Sequence, residues 1–108
     1  MLDHEALLHD IRSLMHDPFE GDRVALRARL ERTLTDGYAH ALALEGERIQ
    51  LEKELTDVAH GVGNGETDGA VARIADLSTR LRSTDSELAE LRVLLASLRD
   101  RAGAVRAA

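Results

Sequence analysis

Between Ile74 and Val105 a residue suited to a helix seam returns every three or four positions: Ile74, Leu77, Leu81, Thr84, Leu88, Leu91, Leu95, Leu98, Ala102 and Val105. The steps alternate three, four, three, four, and Thr84 is the one polar member. A sustained 3.5-residue repeat specifies a long helix whose apolar stripe faces another helix along its whole length. Such a stripe does not persist alone in water, so the chain must supply or recruit a partner for it.

The same chain offers one. From Asp22, which suits an N-cap, the sequence predicts a second helix over 22–60. Its seam reads Leu30, Leu34, Gly37, Ala41, Leu44, Arg48, Leu51, Leu55, Val58 and Val62, with Leu26 just before. The glycine-rich stretch 61–69 separates the two long helices. No Lys-Ser/Thr pair follows it and no strand precedes it, so it is not a phosphate-binding loop. It reads as the turn of an antiparallel hairpin, with Thr67 or Asp68 capping the third helix over 70–106. Each long helix then spans roughly 50–60 Å at ~1.5 Å per residue. With the turn centred near Gly65, Gly37 falls near Leu91, Leu34 near Leu95, Arg48 near Leu77 and Leu81, and Gly46 near Thr84. Arg48, Gly46 and Thr84 make a polar, small-residue waist midway along the seam.

Ahead of the hairpin, Asp3 to Met15 predicts a short helix over 3–15 with Leu7, Leu8, Ile11, Leu14 and Met15 on one face. Asp3 can cap it and Glu5 suits its first turn. The only proline, Pro18, breaks the chain after Asp17. This helix is too short to persist undocked or to cover the full hairpin.

Composition agrees with an all-helical reading. Aromatic residues make up 2% of the chain, Phe19 and Tyr38, whereas Leu, Ala, Val and Ile supply its apolar content. The formal net charge of −6 disfavours broad nucleic-acid binding, which wants a basic face. Cysteine is absent, so neither a disulfide framework nor a thiolate metal site is expected. No apolar run reaches membrane-spanning length and no secretory leader is read, which makes the cytoplasm the expected location. Thirteen of the 14 basic residues are Arg, a bias that suits a high-GC bacterial genome.

Candidate chemistry is sparse. His4 and His9 are five residues apart, not the four that would turn both rings toward one zinc ion, so no metal is expected there. His40 and His60 read as helix surface. Glu87 and Glu90 share a face with no basic residue three or four positions away, and read as a small acidic spot. Arg92, Arg99, Arg101 and Arg106 make the end of the third helix locally basic, which suits its C-terminal dipole and acids on the second helix; a small patch for a phosphate or an acidic protein partner is the alternative. No nucleophile and base can be nominated, so no enzyme activity and no cofactor are expected. Gly37 and Gly46 each cost a helix interior roughly 1 kcal/mol relative to Ala; close packing against another helix is the expected reason, with tolerated defects or the close approach of a ligand as alternatives. Candidate contacts for a partner or ligand are Leu7, Ile11 and Leu14 of the first helix, Gly37, Tyr38, Gly46 and Arg48 of the second, and Thr84 of the third.

The segment Leu34-Thr35-Asp36-Gly37-Tyr38-Ala39-His40-Ala41-Leu42, leading into Arg48-Ile49-Gln50-Leu51-Glu52-Lys53-Glu54-Leu55, resembles the actinobacterial coiled-coil anti-sigma factors that sense cyclic di-GMP. That family's hairpin carries an acid, Ser, Arg, Gln, Asp motif. The motif falls here on Thr33, Gly37, His40, Leu44 and Arg48, none of which matches. The resemblance therefore implies a helical hairpin that binds a protein such as a sigma factor, without the nucleotide site.

One single helical domain over 1–108 is expected: all-α, a short N-terminal helix followed by a long antiparallel coiled-coil hairpin. Leu42, Ile49 and Leu94 remain beside the seam. The first helix folding back into a three-helix bundle would cover only part of the length, and a different protein could cover the rest. The expected solution is two hairpins pairing into a dimeric four-helix bundle, with the first helix packing at one end or reaching the partner. The expected function is a non-enzymatic protein-interaction module, an adaptor or regulator. A structural homo-oligomerisation module and a ligand-sensing or sigma-factor-binding regulator are the alternatives. The expected partner is a protein, the chain itself included, and not nucleic acid, a membrane or, in first place, a small molecule.

Overall fold

The computed structural model describes residues 3–17 and 21–107. The centre of the expected proline break, Pro18 to Glu20, lies outside the described residues. Three helices are present, α1 (His4–Met15), α2 (Arg23–Gly63) and α3 (Ala70–Ala107), and no strand occurs among the described residues.

Each boundary has a local cause. Asp3 is extended (φ −75°, ψ 123°) and its carboxylate accepts the Glu5 N–H at 3.2 Å, capping α1. Asp22 does the same for α2, accepting from the Val24 and Ala25 amides at 2.9 and 3.3 Å. The far end of α2 corrects the expected stop at His60. The helix runs through Gly61 to Gly63 and ends where Gly65 turns left-handed, at φ 90°. There Glu66 N–H bonds the Gly61 carbonyl at 2.9 Å and Gly65 N–H bonds that of Val62 at 3.0 Å, the paired bonds of a Schellman cap. Glycine in a helix costs only about 1 kcal/mol, which the ladder tolerates; the positive φ is what stops it. The cap of α3 also differs from expectation. Gly69, at φ 69°, holds the N-cap place and its carbonyl accepts Arg73 N–H at 3.0 Å, rather than Thr67 or Asp68 standing there.

The turn is thus centred later than Gly65, and the register moves by about one helical turn. Gly37 lies under Leu95, not Leu91, and Arg48 reaches Asp85, beyond Leu81.

The chain divides into two compact units, one of residues 1–42 and 89–108, the other of residues 43–88. In the first, α1 joins the early part of α2 and the late part of α3. Leu7, Leu8, Ile11 and Leu14 of α1 are buried with Leu26, Leu30 and Ala41 of α2 and Leu91, Leu95, Leu98, Ala102 and Val105 of α3. Fully burying a side chain of this size is worth about 1.5–3 kcal/mol, so this three-helix core holds α1 down. Leu34 is half-buried. Gly37 has a packing reason: a Cβ there would overlap the Leu95 Cδ2 methyl.

The second unit is a helical hairpin. Leu44, Leu51, Ala70, Leu77, Thr84 and Leu88 are buried, whereas Leu55, Val58, Ile74 and Leu81 are half-buried. Two helices can close only the centre line between them, so seam residues of such a pair keep contact with water on their flanks.

Candidate functional site

The seam residues are spent on the fold. Leu7, Ile11 and Leu14, expected as partner contacts, are at most 2% exposed within this one chain and are not presented to a partner. α1 docks because its stripe meets apolar surface of its own chain.

The flanks of the seam carry the contrast. On each long helix, the residue just before a seam position points to one side of the pair, and the residue just after it to the other. In the first unit α1 lies along the "before" side. His4 meets His40, with Nδ1 and Nε2 3.0 Å apart. Arg12 meets Glu90 at 2.7 Å, the Asp17 carbonyl accepts a hydrogen bond from Arg101, and Arg29 stands 3.9 Å from the Asp17 carboxylate. Thr33, Asp36, His40, Leu94, Ser97 and Arg101 on this side are all half-buried. The "after" side is open: Glu31, Thr35, Tyr38 and Leu42 on α2 and Ala89, Arg92, Ala96 and Arg99 on α3 are all exposed. Leu42 and Leu94 were equivalent leftovers in the sequence. Leu94 lies on the covered side, whereas Leu42 is 69% exposed and Tyr38, one turn away, is 47% exposed.

The other candidates offer less. Arg48 Nε sits 3.2 Å from Glu52 and 3.1 Å from Asp85, so its guanidinium already serves two carboxylates beside buried Thr84. Gly46 corrects the expectation of close packing. It is exposed with nothing within 4 Å of a Cβ position, because it falls between the seam residues Leu44 and Arg48 and faces outward. Near the turn, Glu54, Asp57, Glu66 and Asp68 line an open acidic cleft with Arg73 at its edge. A second open cleft, between α1 and α2, mixes Asp10 and Asp36 with Arg29 and Arg32.

One expectation of solvated surface is also corrected. His4 and His40 are half-buried and paired, with ring centroids 5.2 Å apart and planes tilted by 38°. One nitrogen donates and the other accepts, while His4 Nε2 is buried without a hydrogen-bond partner. Glu90 stays exposed, as expected of a solvated face, and pairs there with Arg12. Both partners lie on α1, 36 and 78 residues away in sequence, beyond the reach of any helical-spacing rule. Among the described residues, no group of three or more His, Cys, Asp or Glu could hold a metal ion. No helix described is long and apolar enough to cross a membrane.

Comparison with known proteins gives no match to any family model, curated protein or solved structure. The geometry therefore defines the chain as an all-helical bundle with one covered and one open flank in its first unit.

Proposed function

We propose that this chain is a non-enzymatic protein-interaction module, an adaptor or regulator that works through a coiled-coil hairpin and binds on the open flank of its first unit. The observation that carries this reading is the exposure of Tyr38 and Leu42 on consecutive turns of α2, beside a seam that is already filled. Tyr is among the residue types enriched at protein interfaces, because its ring brings apolar area and its hydroxyl a polar handle. Flat or convex helix surface of this kind suits a protein partner better than a small molecule, which needs a concave pocket. The resemblance to coiled-coil anti-sigma factors points to the same class of work, with a sigma factor as one partner of that kind.

The test is site-specific photo-crosslinking in the cells that make the protein. A benzophenone amino acid replaces Tyr38 in one chain and Thr79, an exposed position on α3, in another. A discrete protein adduct from position 38 and none from position 79 is the expected result. Identical patterns at the two positions, or no adduct at 38, would overturn the reading.

A further inference from the structure

We infer that the occupant of the open flank is a second copy of this chain, docked so that the α2 edge of each copy meets the α3 edge of the other. The inference rests on the protein-interaction reading above and names its partner.

The two edges of the flank differ in shape and charge. The α2 edge presents the large side chains of Tyr38 and Leu42; a little further along it carries Arg27 and Glu31, already paired with each other at 3.2 Å. The α3 edge presents the small side chains of Ala89 and Ala96, alternating with the guanidinium groups of Arg92 and Arg99. Large residues need small ones opposite, and acid needs base. Pairing α2 with α2 would set Tyr and Leu against their own kind and bring the Arg27–Glu31 pair level with its own copy. Pairing α2 with the partner's α3 satisfies both edges at once, and a two-fold axis does so twice, as an isologous dimer requires.

The levels also fit. Within the chain, Gly37 is level with Leu95. A two-fold axis parallel to the helices keeps that level between copies. Leu42 then falls beside Ala89 of the other copy. Tyr38 falls between the other copy's Arg92 and Ala96, where a guanidinium can stack on the ring. Glu31 falls toward Arg99. α1 covers the opposite flank, so only one face of the first unit is left to pair.

The chain has no cysteine, so a single introduced thiol reports one contact. Leu42→Cys and Ala89→Cys chains are prepared separately, then mixed and oxidised. A covalent dimer from the mixture, with little from either chain alone, is expected. Light scattering over a dilution series should give twice the chain mass of 11.8 kDa for the unaltered protein. Leu42→Glu should weaken association at least tenfold with its helical circular dichroism retained, while Val71→Glu, at a residue 84% exposed near the turn, should not. Glu31→Arg and Arg99→Glu should each weaken the dimer, and the two together should restore part of it. A covalent dimer from Leu42→Cys alone as readily as from the mixture would overturn the α2-to-α3 arrangement. A monomer at every concentration would overturn self-pairing altogether. If that monomer still gave a specific adduct with another protein from position 38, the interaction reading would survive without this partner; with no adduct, both would fall.

Discussion

Two glycines on one helix set opposite expectations for the same substitution. At Gly37 the added methyl overlaps Leu95, which is 3% exposed and has little room to move. Overpacking of this kind costs about 1–3 kcal/mol, against a helix-propensity gain of about 1 kcal/mol. Gly37→Ala should therefore destabilise the chain by up to about 2 kcal/mol, through a lower urea midpoint. Gly46 meets open space, so Gly46→Ala keeps only the propensity gain and should stabilise by about 1 kcal/mol. Equal shifts of the same sign would show that Gly37 is not packed as described. Arg48 is a contrast of another kind. Its pairs with Glu52 and Asp85 are roughly half-exposed on every side chain. Exposed ion pairs contribute about 0–1 kcal/mol each, so Arg48→Ala, which removes two, should lower the midpoint by no more than about 2 kcal/mol of stability.

At the scale of the element, the stop of α2 and the docking of α1 are the features to test. Gly65→Ala forces a Cβ into left-handed backbone and should cost about 1–2 kcal/mol, whereas Gly63→Ala, inside the helix with open space around it, should not destabilise. Thermal unfolding of the two variants separates the position that ends the helix from one that the helix passes through. Ile11 is fully buried, and Ile11→Ala should cost about 2–5 kcal/mol and raise amide exchange along α1 before the rest of the first unit. The three helices themselves were legible, because Asp3, Asp22 and the unbroken three-four repeat carry their start and period locally. The stop of α2 was misread because four glycines cluster between residues 61 and 69 and spacing does not say which of them takes a positive φ. The register error followed from that. Which flank α1 covers was not legible at all. The pairs found on that flank, such as His4 with His40 and Arg12 with Glu90, have members on different helices and leave no periodic trace.

For the whole molecule, what matters is how many faces each copy has to give. A helical pair has two flanks, and one short segment removes one of them from use. In the proposed pairing, and in the terms of polymer chemistry, α1 acts as a chain stopper: it lowers the valency of the first unit from two to one. Subunits of valency one close into pairs, whereas subunits of valency two link onward without limit. A chain beginning at Gly21 should therefore lose its fixed mass and grow with concentration, as light scattering would show, while its circular dichroism remains helical. A shortened chain that kept the mass of the full one would mean that the buried flank is not sticky enough to need a cover. On the proposed pairing, Leu7, Leu8, Ile11 and Leu14 do more than fill a core: they set where assembly ends.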